Sequence, residues 1–217
     1  MNAEPAQCPK PARGRRLVCI TGASGAVYGI RTIQALLESG CEVHAVASEW
    51  GKRVIAEETG KPFSTWMNDF SVSQDHIYDC RDLAAPIASG SFPLDATVIV
   101  PCSMSSAGAI ASGVCQNVIH RAALVCLKEA RPLVIVSRES PLSLIDLRNL
   151  TTLAEAGASI LPASPAFYHS PSTIDDMVDF VVGKILDHLH VEHKLFRRWG
   201  RFAEAPSVEN VCGIAKN

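Results

Sequence analysis

The chain has 217 residues, 47% hydrophobic and 19% charged, with a formal net charge of −2. That balance supplies one good core, most simply one domain, and no basic surplus of the kind that nucleic-acid binding requires. No segment approaches the roughly 20 uninterrupted apolar residues of a membrane helix, and the opening MNAEPAQCPKPARGRR lacks the apolar stretch of a signal peptide, so a cytoplasmic protein is expected.

Residues 17–20 form a short apolar, partly β-branched run that reads as a buried parallel strand. The run ends in TGAS, and after Gly25 the stretch AVYGIRTIQALL (26–37) returns apolar side chains at helical spacing. A helix opening on such a turn presents unpaired N–H groups and its positive dipole end, which favour a phosphate or another anion. Thr21 and Ser24 add hydroxyls there, although a turn of this kind also serves as an ordinary helix cap.

EVHAVAS (42–48) is the second strand, and residues 50–59 are a helix ending before Gly60. Residues 61–73 read as polar and irregular. ATVIV (96–100) is the third strand, running through Pro101 and Cys102 into a small-residue helix, SMSSAGAIASG. A helix over 117–130, a strand over 132–137, a helix over 142–156 and a strand over 158–161 follow. The last long helix covers 173–190, capped by Ser172 or Thr173, with Asp175 and Asp176 in its first turn. Strands and helices alternate throughout. The expected fold is α/β, a doubly wound, mainly parallel flavodoxin-like or Rossmann-like sheet with helices on both faces. Residues 17–199 form its domain, between an N-terminal extension (1–16) and a C-terminal tail (200–217).

Eight cysteines are scattered without a C-x-x-C pair, and several lie in apolar segments, so they read as reduced thiols. His190 and His193 read as a solvated helix end rather than a metal site, and no metal is expected.

In such a sheet, ligands bind beyond the carboxyl ends of the strands. The residues found there are TGAS, Ser48, PCSMSS, SRESP and PASPAFYH: hydroxyls, glycines, one Arg and one Glu. That set suits a phosphate-bearing planar cofactor. TGASGA is not G-x-G-x-x-G, and Ser48 stands where a dinucleotide fold carries an acidic residue, so FMN fits better than NAD.

GASGAVYG, ASGS (88–91), PCSMSS (101–106), NVIHRAALVCLKEARPLVIVSRESPL (117–142) and PAFYHSP (165–171) resemble, in order and spacing, the UbiX-type flavin prenyltransferases. The resemblance covers roughly residues 17–199. It implies a flavodoxin-like fold, often a homododecamer. The implied reaction is transfer of a dimethylallyl group from dimethylallyl phosphate to N5 and C6 of reduced FMN, giving prenylated FMN for a UbiD-type decarboxylase. By position, it puts FMN on Gly22, Ala23, Ser24, Ser48, Ser103, Met104, Ser105, Ser106 and Arg138. It puts the prenyl phosphate on Arg121, Lys128, Tyr168 and Lys184, and chemistry on Ser24, Glu58 and Glu139.

The chemistry of these residue types agrees with those roles. Arg121, Lys128 and Lys184 can hold a leaving phosphate without a metal, and Glu139 can relay a proton. Each also has an ordinary reading: a solvated face for Arg121, Lys128 and Lys184, packing for Tyr168, and a surface pair for Glu139 with Arg138. Leu83, His120 and Leu124 depart from the commoner family residues, Leu83 bearing on the shape of the prenyl pocket. KLFRRWGRF (194–202) reads either as a contact to an adjacent subunit or as a mobile basic tail. Two rival readings are an FMN-dependent cysteine decarboxylase, disfavoured by PCSMSS and by the lack of a His after the first helix, and a noncatalytic flavin carrier.

Overall fold

The computed structural model describes residues 14–200. Most of the expected N-terminal extension and of the tail lies outside the described residues. Six strands, β1 (Arg15–Ile20), β2 (Glu42–Ala47), β3 (Ile77–Asp79), β4 (Ala96–Cys102), β5 (Leu133–Ser137) and β6 (Ser159–Pro162), pair in parallel. Their order is β3-β2-β1-β4-β5-β6. Chain direction across the sheet therefore reverses between β1 and β4, which opens a crevice beyond their carboxyl ends.

Seven helices cover the sheet: α1 (Ala26–Glu38), α2 (Glu49–Thr59), α3 (Phe63–Asp69), α4 (Met104–Ala111), α5 (Val118–Lys128), α6 (Leu144–Glu155) and α7 (Ile174–His188). Alternate strand residues point to opposite faces. Val18, Ile20, Val98, Val100, Val134 and Val136 pack with α1 and α7. Leu17, Cys19, Ile99, Leu133 and Ile135 pack with α4, α5 and α6. Fully burying one such side chain stabilises the fold by about 1.5–3 kcal/mol relative to exposing it.

Two elements differ from the sequence reading. The segment read as irregular at 61–73 contains α3, which buries Phe63 and Met67 one turn apart against the α1 and α7 side of the core. The edge strand β3 has only three residues, too few for a periodic signal. α7 opens on Thr173, whose hydroxyl accepts the Asp176 N–H while the Asp176 carboxylate reaches back to the cap. Hydrogen bonds from the Ser172 and Thr173 N–H groups hold Asp176 down at about 2. The described part of the C-terminal stretch packs on α7 of its own chain, with Phe196 against Phe180 and Arg198 on Asp187. No helix among the described residues is long and apolar enough to cross a membrane.

Candidate functional site

β1 delivers Gly22, β2 delivers Ser48, and β4 delivers Ser103 to the crevice at the strand-order reversal. Ser48 caps α2 by accepting the Gly51 N–H at 3.0 Å. Ser103 caps α4, accepting from Ser106 N–H, and its hydroxyl lies 3.1 Å from those of both Ser105 and Ser106. Asn117 caps α5. The three helix N-termini converge on one pocket of about 220 Å³, lined by Gly22, Ser48, Trp50, Ser103, Ser105, Ser106, Gln116, Asn117 and His120. Their aligned dipoles give the pocket a positive potential without a formal charge. Gly22 keeps it open, because a Cβ there would stand 2.5 Å from Trp50 Cβ. Size, hydroxyls and dipoles all fit a phosphate monoester.

The glycine turn behaves differently from its sequence reading. Thr21 is buried, and its hydroxyl joins β1 to the end of β4: it donates to the Pro101 carbonyl at 2.9 Å and accepts the Ser103 N–H at 2.7 Å. It therefore offers nothing to a ligand. The N-terminus of α1 is already filled by an anion of the chain itself. The Glu58 carboxylate accepts N–H groups of Gly25 at 3.0 Å and Ala26 at 2.7 Å. Gly25 takes φ 98°, the left-handed region that favours glycine. Ser24 is exposed on this turn, and its carbonyl accepts Arg138 Nε at 3.1 Å.

Arg138 and Glu139 line a larger cavity of about 630 Å³ beside the turn, walled by Leu142, Leu147, Leu150, Ile160 and Pro162. Glu139 is exposed there and accepts the N–H of Ser140 at 3.1 Å. Of the residues expected on the cofactor, Gly22, Ser48, Ser103, Ser105 and Ser106 line the phosphate-sized pocket. Ala23 is buried, and Met104 packs against the core beneath α4.

The four expected prenyl-phosphate residues divide into two groups. Arg121 and Lys128 lie on α5, where Arg121 Nε donates to the Ala88 carbonyl at 3.1 Å and Lys128 pairs with Glu129 at 3.1 Å. Lys184 lies on α7, across the sheet, 3.5 Å from Asp187. Tyr168 stands edge-on to Phe180 and Trp199 on the α7 side. Within one chain the two groups do not meet. His193, weighed above as a helix-end residue, is 3% exposed at its side chain and bonds Asp187 at 3.0 Å. His120 and Gln116 belong to the pocket and were absent from the expected set; the signal for His120 was its place in the first turn of α5.

Fold and pocket together define a doubly wound α/β protein with a phosphate-sized pocket at its switch point, the class to which mononucleotide-binding flavoproteins belong. A family model described as Flavoprotein matches residues 8–186. The flavin prenyltransferase UbiX of Alkalihalophilus pseudofirmus is 47% identical over 190 residues, spanning 84% of this chain and 94% of that protein. The solved structure of AnUbiX (PadA1) in complex with FMN and dimethylallyl pyrophosphate matches with a TM-score of 0.83 at 42% identity, covering 88% of this chain and 99% of that one. A dodecameric FMN-dependent UbiX-like decarboxylase from Escherichia coli O157:H7 matches with a TM-score of 0.78 at 40% identity, covering 82% and 96%. The chain belongs to the flavin prenyltransferase UbiX family.

Proposed function

We propose that the protein is a flavin prenyltransferase that moves a dimethylallyl group from a dimethylallyl phosphate ester to reduced FMN. The observation that carries this reading is the pocket at the strand-order reversal, where three helix N-termini and four serines meet. Reduced FMN, when bound, supplies the nucleophilic ring that accepts the prenyl group as the phosphate leaves.

The protein's own part is binding, orientation and proton handling. Ser48, Ser103, Ser105 and Ser106 hold the flavin phosphate, and Arg138, anchored on the Ser24 carbonyl, lines the larger cavity. Arg121, Lys128 and Lys184 carry the charge that stabilises the departing prenyl phosphate, with the Tyr168 hydroxyl as a further donor. Glu139, exposed at the mouth of the larger cavity, takes a proton.

The division of these residues across the sheet supports a site completed between subunits. α6 offers an apolar face for assembly, with Leu144 61%, Ile145 69% and Leu147 47% exposed. A homododecamer, as in the bacterial relative, satisfies both features. A UbiD-type decarboxylase is the recipient that this product implies. The buried thiols of Cys19, Cys80, Cys102 and Cys126 suit the cytoplasm, where thiols stay reduced.

The experiment is anaerobic incubation with reduced FMN and dimethylallyl monophosphate or pyrophosphate, followed by mass spectrometry of the extracted flavin. A flavin heavier by one five-carbon unit establishes the transfer. Bound but unmodified FMN with both donors rejects it and leaves the carrier reading.

A further inference from the structure

His120 is 3% exposed, occupies the first turn of α5, and forms part of the wall of the phosphate-sized pocket. Two donors approach its ring. The Gln116 backbone N–H points at Nδ1 at 3.4 Å, and Asn117 Nδ2 lies 3.4 Å from Nε2. The Asn117 amide cannot be turned over to supply an acceptor, because its Oδ1 already accepts the His120 N–H at 3.0 Å as the helix cap. A neutral imidazole accepts at one nitrogen and donates from the other. The neutral ring can accept from only one of these two donors. We assign that role to Nδ1, which faces the backbone N–H of Gln116, so that the proton sits on Nε2 and the Asn117 Nδ2 approach is a contact and not a hydrogen bond. Burial favours the neutral ring, since it holds the His120 imidazole below its ordinary value. His120 lines the pocket, and an Nε2–H that no protein group accepts is left for an anion there.

We propose that His120 is a further phosphate-binding residue of the flavin site, donating Nε2–H to a phosphate oxygen and selecting phosphorylated over unphosphorylated flavin. The inference rests on the flavin reading given above. It goes beyond it in assigning a donor outside the serine set, on a third helix. Ser48, Ser103 and Ser105 share the pocket, so the imidazole adds a rigid donor to a ring of rotatable hydroxyls. Its direction is set before the ligand arrives.

The test compares dissociation constants for FMN and riboflavin, read by flavin fluorescence, in the wild type, His120→Leu and His120→Gln. His120→Leu removes the donor, and an about tenfold or greater loss of FMN affinity is expected, the range of a hydrogen bond to a charged group. Riboflavin affinity changes less than about twofold, and His120→Gln, which retains an N–H, recovers most of the FMN affinity. Parallel losses for both flavins, or unchanged FMN binding, overturn the proposal. Should His120→Leu fail to fold, nitrogen-15 NMR of the wild-type histidine ring gives the answer: FMN shifts the Nε2–H signal of His120 and riboflavin does not, and an unmoved signal refutes the assignment. A wild type that binds neither flavin rejects the parent reading itself, whereas FMN binding indifferent to His120 rejects this inference alone.

Discussion

The Glu58 carboxylate lies 2.7 Å from the Ala26 N–H and closes the N-terminus of α1 with an anion from α2. The turn that looks like a ligand-binding helix start thus has its positive end neutralised from within, and the phosphate-sized space lies one step away, between α2, α4 and α5. Capping and chemistry at Glu58 are separable. Glu58→Ala should lower stability by about 1 kcal/mol, a typical loss for a removed helix cap. Glu58→Gln retains an acceptor and should stay near wild type in urea unfolding, while losing prenyl transfer if the ionised carboxylate takes part.

Gly22 controls whether the pocket exists. A methyl group at this position meets Trp50 Cβ at 2.5 Å, so Trp50 and the start of α2 must shift. Gly22→Ala should weaken FMN binding about tenfold, the scale set by loss of a charge-assisted hydrogen bond. Replacing Trp50 with Gly in the Gly22→Ala background removes the Cβ that the new methyl meets and should recover part of it, as read by flavin fluorescence.

Arg121 and Lys184 stand on opposite sides of the sheet. If neighbouring subunits complete each site, Arg121→Ala and Lys184→Ala are each inactive alone but complement when unfolded together and co-refolded. Random assembly restores about a quarter of sites when two subunits build each one. Zero recovery in mixed assemblies would place both groups' action within a single chain.

Asp187 joins α7 to the C-terminal stretch. Partial burial opposes its ionisation, but hydrogen bonds from Arg198 and His193 outweigh burial and hold the carboxyl down at about 2. Its folded-state value lies below the unfolded one, near 4, so its stabilisation is present above pH 4 and disappears as pH falls toward 2. Urea unfolding between pH 2 and 6 should show this loss. Asp187→Asn should flatten that part of the profile and lower stability at pH 7.

His44 is 2% exposed, with Nδ1 2.8 Å from the Tyr78 hydroxyl and Nε2 2.9 Å from Glu42, which Arg15 also engages at 2.7 Å. Burial, with some help from His76, lowers its value despite the carboxylate beside it. The unfolded chain then takes up a proton below about pH 6.5 that the folded chain resists. Stability is therefore constant above that pH and declines as pH falls, until the folded value is reached. His44→Gln should reduce the slope between pH 6.5 and 5 in thermal melts.

Much of this was legible along the chain. Apolar runs of four to six residues alternating with amphipathic helices can bury their faces only in a doubly wound sheet, and β1, α1, β2, α2, β4, β5 and α7 follow. α3 escaped because Pro62 and the polar run around it masked the one-turn spacing of Phe63 and Met67, and β3 because three residues carry no period. The serines beyond β2 and β4 were visible as hydroxyls after strands. Thr21 and Ser24 looked equivalent in sequence, yet one hydroxyl joins two strands and the other residue lies exposed on the turn.

By itself, the sequence determined the order of elements, the faces they bury and the family motifs, because those depend on periodicity and on residues near one another in the chain. Tertiary structure alone decided where the phosphate-sized pocket forms. The pocket is made by residues 22, 48, 103 and 120, brought together only because β1 and β4 are neighbours where the strand order reverses. It also decided that the Glu58 carboxylate caps the N-terminus of α1 and that Arg121 and Lys184 part across the sheet. Those outcomes depend on the packing of distant segments, and no local spacing encodes them.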